Sequence, residues 1–138
     1  MIRASNFEVE GIFFIVPDQL IMDWPALSLD AFPDSCGPGS GIGNLVVPET
    51  VFGLRITPAC FIHDFCWQVA DASWADFHQA NSIFLHNLLA IIKARSANML
   101  MQAIRNYRAI TYYNAVDLVG QNIFWAEKEE QGYDVSGQ

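Results

Sequence analysis

The stretch from Thr57 to Ala70, T-P-A-C-F-I-H-D-F-C-W-Q-V-A, constrains the fold most, because it predicts a helix that carries polar groups of catalytic type. Thr57 is a good N-cap, and Pro58 suits the first helical position, where its missing N–H is one that the helix leaves unpaired. At about 100° per residue, His63 and Asp64 project about a quarter-turn apart. An imidazole and a carboxylate are thus carried on adjacent faces of one rigid element.

A glycine-rich stretch lies upstream of this helix and reads C-G-P-G-S-G-I-G from Cys36 to Gly43. It belongs to a longer run, Phe32 to Leu54, whose glycines and prolines predict a loop. A loop this long inside a compact domain is usually functional. Its backbone carbonyls could turn towards a hard cation, and Asp64 could complete the oxygen cage.

The two motifs together, C-G-P-G-S-G and A-C-F-I-H-D-F-C-W, resemble the phospholipase A2 superfamily. The signature of that family is a C-G-x-G calcium loop and a helix bearing C-x-x-H-D-x-C-Y, and the match covers Phe32 to about Phe84. The resemblance implies calcium-dependent hydrolysis of the sn-2 ester of glycerophospholipids. In the family, the histidine is a general base on a water, and Ca²⁺ holds the phosphate and stabilises the developing oxyanion.

The resemblance assigns roles residue by residue. His63 matches the general base and Asp64 matches the side-chain ligand of the calcium ion. The loop carbonyls that match calcium ligands are those of Ser35, Gly37 and Gly39. Waters or substrate must then fill the remaining positions, because calcium takes six to eight oxygens.

The three cysteines are interpreted through the same resemblance. Cys36 and Cys60 match the pair that tethers the calcium loop to the catalytic helix, and we predict that disulfide. Cys66 matches a position whose usual partner falls at Ala80 here, so we expect a free thiol packed in the core. One disulfide implies exposure to an oxidising compartment at some stage.

The sequence departs from the family pattern at two positions. Trp67 replaces the tyrosine whose hydroxyl supports the orienting carboxylate, and Asn81 replaces the aspartate that holds the imidazole. An asparagine oxygen can accept the same ring N–H but supplies no negative charge, so Asn81→Asp is expected to raise turnover. Three tyrosines are candidates to replace the missing hydroxyl: Tyr107, Tyr112 and Tyr113.

A second helix is predicted after the turn at Ala72. Ser73-x-x-Asp76 has the form of a capping box, and an apolar stripe with helical spacing follows. The stripe consists of Phe77, Ala80, Phe84, Leu88 and Ile91. His63 and Asn81 are equally far in sequence from Ala72, so an antiparallel helical hairpin brings them to the same height. Helix geometry therefore predicts that the Asn81 side chain contacts the His63 ring. Asp76 is too near the turn to replace it.

The fold class predicted is mainly α, with one domain over residues 1–138. Two antiparallel helices carry the site, and a third, from Ala97 to Val119, is capped by Ser96 and ended by Gly120. The N-terminal region is expected to be irregular and to hold the calcium loop. The run Ile12–Val16 in this region predicts either a short buried strand or one helical turn. Its apolar side chains could belong to the core or form a surface that contacts lipid. The acidic stretch Glu127–Gln138 is expected to form a frayed tail.

The net charge of −8 from 15 acidic and 7 basic residues argues against nucleic acid as a partner and against strong attraction to anionic membranes. Contact with a phospholipid interface is therefore expected to use mainly apolar side chains. Four basic residues cluster along the chain and could face headgroups or form a solvated helix face: Lys93, Arg95, Arg105 and Arg108.

No signal peptide or membrane span is predicted within this sequence, because Gly11–Val16 is only a short apolar run before Pro17. Secretion or delivery to a target cell is expected from the family resemblance. A further hypothesis is a bacterial membrane-damaging toxin domain that is neutralised by a cognate inhibitor or immunity protein.

Three other functions compete for the same residues. A zinc site is excluded because Cys60 and Cys66 are about 240° apart around a helix, and a thiolate nucleophile is excluded if Cys60 is in a disulfide. The main rival to the enzyme is a lipid-binding or interaction domain that keeps the fold without useful turnover.

The two remaining histidines, His78 and His86, lie off the apolar stripe of the second helix and are expected at the surface.

Overall fold

The computed structural model describes residues 1–23, 28–36 and 47–137, and these are mainly helical. A β-hairpin, β1 and β2, comes first, and a smaller hairpin, β3 and β4, precedes three long helices. The strands span Ala4–Val9, Ile12–Pro17, Thr50–Val51 and Leu54–Arg55. The helices α1 to α4 span Asp18–Asp23, Thr57–Val69, Trp74–Arg95 and Met99–Glu130, and a short 3₁₀ helix covers Leu29–Ala31.

The N-terminal residues form a regular antiparallel hairpin rather than the irregular segment expected. Glu10 and Gly11 both have positive φ, as a two-residue hairpin turn requires. β2 alternates buried and exposed positions, so the strand alternative for Ile12–Val16 is confirmed, with Phe13 exposed. The buried Asn87 on α3 accepts from the Ile15 N–H at 2.8 Å and donates to its carbonyl at 2.9 Å. This pair of bonds fixes the hairpin to α3.

The antiparallel pair α2 and α3 is present as predicted, with one difference at its start. Helix α2 begins at Thr57 with Ile56 in the N-cap position, so Thr57 is the first helical residue and not the cap. Its hydroxyl donates to Glu49 instead. The Ser73 hydroxyl caps α3 by accepting from the Asp76 N–H at 3.1 Å. Every residue of the predicted apolar stripe of α3 is buried.

Helix α4 is longer than the predicted third helix at its C-terminal end. Asn98 caps it rather than the predicted Ser96, accepting from the Met101 N–H at 2.8 Å, and the helix runs from Met99 through Gly120 to Glu130. Gly120 lies inside the helix against Trp67, and a Cβ at this position would be 2.9 Å from the Trp67 ring. The glycine therefore allows α4 to approach α2 closely, and the prediction that it ends the helix was wrong.

The start of the predicted acidic tail belongs to α4. Lys128 is buried, and its Nζ donates to the carbonyls of Trp67, at 2.6 Å, and Ala70. These carbonyls lie at the C-terminal end of α2, where a cation is favoured by the helix dipole. Burial lowers the pKa of Lys128. The lysine thus ties the end of α4 to the end of the histidine-bearing helix.

The predicted disulfide between Cys36 and Cys60 is present, and Cys66 is free and buried, as expected. Burial raises the pKa of the Cys66 thiol far above its usual range. The disulfide joins the chain before the glycine-rich stretch to α2. The predicted ligands Gly37 and Gly39 lie outside the described residues.

Candidate active site

The predicted contact between His63 and Asn81 is confirmed. His63 Nε2 lies 2.8 Å from Asn81 Oδ1, and both residues are fully buried between α2 and α3. Two aromatic rings, Trp67 and Phe84, pack on the imidazole with centroid separations of 4.7 and 4.8 Å. The ring is therefore held both by its hydrogen bond and by packing.

Trp67 and Asp117 determine which end of the Asn81 amide faces the histidine. The indole Nε1 of Trp67 donates to Asn81 Oδ1 at 3.3 Å, and an indole N–H can only donate. Asn81 Nδ2 donates to Asp117 Oδ1 at 3.1 Å, and an ionised carboxylate can only accept. Asn81 therefore presents its oxygen to His63, so the imidazole carries its proton on Nε2.

His63 Nδ1 is buried and has no hydrogen-bond partner among the described residues. Burial lowers the pKa of His63 to about 4, and the Asn81 hydrogen bond only partly opposes this shift. The ring is consequently neutral at neutral pH, with a lone pair on Nδ1. A buried polar atom without a partner is rare and indicates a place for a bound water or ligand atom.

The second candidate residue, Asp64, lies next to His63 on α2 and is partly buried. It is one turn beyond Cys60, whose disulfide partner Cys36 has its Cα 5.2 Å away. Residues one turn apart share a helix face at about 5–6 Å between their Cβ atoms. The disulfide therefore joins the start of the glycine-rich stretch to α2 at a residue one helical turn before Asp64.

Glu49 connects both sides of that stretch to the start of α2. Its carboxylate accepts from the Cys36 N–H at 2.7 Å and from the Thr57 hydroxyl. Its carbonyl accepts from the Ile56 N–H at 2.9 Å. Ser35, a predicted ligand through its carbonyl, is buried, and its hydroxyl donates to the Pro33 carbonyl at 2.8 Å. The segment thus leaves and returns at the N-terminal end of the histidine helix.

Of the calcium ligands that the family resemblance implies, only Asp64 and Ser35 lie in the described part of the chain. Across residues 1–23, 28–36 and 47–137, no group of three or more His, Cys, Asp or Glu side chains could hold a metal. A calcium site built from one carboxylate and backbone carbonyls needs no such group. Asp64 supplies the carboxylate for such a site, and the Cys36–Cys60 disulfide holds the Ser35–Cys36 segment to the same helix.

None of the three tyrosines suggested as substitutes for the missing hydroxyl bonds to His63 or Asn81 in the described part of the chain. Tyr107 is exposed, and Tyr112 reaches only the Thr50 carbonyl at 3.5 Å. Trp67 itself takes the supporting position through its indole N–H. Asp76 is used elsewhere, accepting from the Asp71 N–H at 2.7 Å.

Sequence reasoning missed Asp117, Glu49 and Lys128. Asp117 contacts Asn81 from α4, and no local pattern relates residues so far apart in the chain. One signal was available, since Asp117 is the only acidic residue of α4 before Glu127. His78 and His86 are exposed as expected, although His78 Nδ1 lies 3.2 Å from Asp117 Oδ1.

No family model, curated protein or solved structure matches this chain. None of the described helices combines the length and the apolar character needed to cross a membrane. The functional interpretation therefore depends on the motifs and on the geometry around His63.

Proposed function

We propose that this chain is a calcium-dependent phospholipase A2 that hydrolyses the sn-2 acyl ester of glycerophospholipids. The observation that supports this most is the state of His63. Its Nε2–H is fixed by Asn81, and its Nδ1 is left without a partner in the described residues. A neutral imidazole held in one tautomer is the form that a general base requires.

In the proposed reaction, His63 Nδ1 takes a proton from a water as that water attacks the ester carbonyl. The same Nδ1 then returns the proton to the glycerol oxygen as the acyl bond breaks. Asn81 keeps the ring orientation throughout by accepting from Nε2–H. When bound, Ca²⁺ supplies positive charge for the substrate phosphate and for the carbonyl oxygen that becomes negative. Asp64 and the carbonyls of Ser35, Gly37 and Gly39 are the proposed ligands.

The proposed partner is a phospholipid interface, and exposed apolar side chains at the start of α4 support it. Two of them, Ile104 and Tyr107, line a surface cavity together with Phe52. Two arginines adjoin Phe52: Arg105 donates to its carbonyl at 2.9 Å, and the guanidinium of Arg108 lies 5.3 Å from the centroid of its ring. Large apolar side chains exposed together are typical of surfaces that meet lipid or protein. The exposed members on α4 are Met99, Leu100, Ile104 and Tyr107.

Calcium dependence tests the proposal. Fatty acid release from phosphatidylglycerol or phosphatidylcholine vesicles is expected with millimolar calcium and not with excess chelator. Asp64→Asn should raise the calcium concentration needed for half-maximal release, because a neutral oxygen holds the ion less well. Asp134→Asn, on an exposed position after α4, is the matched control. Release that is unchanged by chelator contradicts the proposal.

The burial of His63 favours a second candidate, a lipid-binding domain without turnover. The imidazole is 0% exposed, so a substrate water must enter a closed site. In that case calcium and vesicles bind, and no fatty acid is released. The release assay separates these two functions.

A further inference from the structure

We propose that Asp117 is a positioning residue that fixes the Asn81 amide and, through it, the orientation and tautomer of His63. This role rests on the proposed function, because it matters only if His63 Nδ1 is the base. The three side chains come from three helices: His63 from α2, Asn81 from α3 and Asp117 from α4. Their hydrogen bonds form a continuous chain of 2.8 and 3.1 Å.

A carboxamide is ambiguous in a way that a carboxylate is not. Rotated by half a turn, Asn81 would present its NH₂ group to His63, which could then accept on Nε2 and carry its proton on Nδ1. That tautomer cannot act as a base at Nδ1. Asp117 opposes the rotation because the rotated amide would place an oxygen against its carboxylate. Trp67 opposes it from the other end, because its indole N–H needs an acceptor.

The position of Asp117 also accounts for asparagine at residue 81. An aspartate there would place a carboxylate oxygen where Nδ2 now lies, 3.1 Å from Asp117 Oδ1. Two carboxylates at that distance cannot both ionise readily. The carboxylate of the network is therefore Asp117, which reaches the imidazole only through Asn81. Its side chain is 29% exposed, and its Oδ1 lies 3.2 Å from His78 Nδ1. This replaces the expectation from sequence that Asn81→Asp raises turnover.

The experiment compares Asp117→Ala, Asn81→Asp and the double variant Asn81→Asp/Asp117→Asn with the full wild-type chain. Glu129→Gln, an exposed carboxylate on the same helix, is the matched control. Two quantities are measured. The first is kcat and KM for fatty acid release, and the second is the His63 tautomer, from the ¹⁵N chemical shifts of its ring. The tautomer measurement does not depend on activity.

We expect Asp117→Ala to lower kcat by about tenfold or more with KM nearly unchanged, and to give a mixture of His63 tautomers. Asn81→Asp should lower kcat similarly, because its carboxylate faces Asp117. The double variant restores one carboxylate and one carboxamide in exchanged positions. It should recover kcat to within about threefold of wild type, since geometry and total charge are the same.

Two results would overturn the proposal. One is an Asn81→Asp variant as active as the double variant, since Asp117 would then exert no constraint on residue 81. The other is Asp117→Ala with wild-type kcat and a single Nε2–H tautomer. If the wild type releases no fatty acid with calcium, the hydrolase proposal fails and the ¹⁵N spectra alone decide. Mixed tautomers in Asp117→Ala support the positioning role, and a single tautomer contradicts it.

Discussion

At the scale of single residues, the uncharged side chains that contact His63 fix the orientation and the tautomer of its imidazole. Asn81 accepts two hydrogen bonds on one oxygen, from His63 and Trp67, and donates one to Asp117. The polar groups of the buried His63, Asn81 and Trp67 would each cost about 1–3 kcal/mol of stability if left unpaired. The network is therefore expected to tolerate the loss of one member poorly. Trp67, at the position where the phospholipase A2 pattern has a tyrosine, supplies a hydrogen-bond donor to this network.

The depressed pKa of His63 predicts a pH dependence of stability. In the unfolded chain the histidine has its ordinary pKa of 6.5, and in the folded chain about 4. As pH falls through 6.5 the unfolded state binds the proton first, so stability falls between pH 6.5 and 4. At about 1.4 kcal/mol per pKa unit, the loss from pH 7 to pH 5 is about 2 kcal/mol.

Urea unfolding at pH 7 and at pH 5, with chelator present, measures this loss of stability. His63→Gln should remove most of the difference between pH 7 and pH 5. His86→Gln, at an exposed position on α3, should leave it as in the wild type. Equal pH dependence in all three proteins would show that His63 is not buried as a neutral ring.

At the scale of elements, the order and orientation of α2 and α3 could be predicted from sequence, and the extent of α4 could not. Ser73 and the apolar stripe are local signals, so they identified the hairpin and the height of Asn81 correctly. Gly120 gave the wrong signal, because its small size serves contact with Trp67 rather than helix termination. Such a contact joins residues far apart in the chain and leaves no periodic trace.

Gly120→Ala tests that packing. The added Cβ would lie 2.9 Å from the Trp67 ring, so either the buried ring or α4 must shift. We expect a loss of about 1–3 kcal/mol in the free energy of unfolding, although alanine favours helix more than glycine does. Gly137→Ala, where nothing lies within 4 Å, is the control. Chemical denaturation measures both, and a Gly120→Ala protein more stable than wild type would contradict the close approach.

At the scale of the whole molecule, hydrogen bonds from His63 to Asn81 and from Asn81 to Asp117 connect three consecutive helices. Further bonds at both ends of α2 hold that helix in place. The Cys36–Cys60 disulfide and Glu49 act at its start, and Lys128 acts at its end. The disulfide could be predicted because its two cysteines lie within recognised motifs. Glu49 and Lys128 could not, since each contacts backbone groups that carry no sequence signal.

The proposed membrane contact predicts that one exposed leucine of α4 matters more than another. Leu100 and Leu118 are 72% and 73% exposed, and their spacing returns them to the same helix face about 27 Å apart. Leu100→Gln should weaken vesicle binding by about tenfold, because inserting a leucine contributes about 1.5–3 kcal/mol. Leu118→Gln is the matched control. Vesicle sedimentation measures binding, and equal loss in both variants, or loss of wild-type binding in moderate salt, would contradict an apolar contact at the start of α4.

The most direct test of the central claim compares fatty acid release by wild type, His63→Ala and His86→Ala from vesicles whose sn-1 and sn-2 chains differ, at saturating calcium. We expect the wild type and His86→Ala to release the sn-2 chain, and His63→Ala to lose at least about 10³-fold in rate. Release that persists in His63→Ala, or a wild type that binds calcium and vesicles and releases nothing, would contradict the assignment of His63 as the base of a hydrolase.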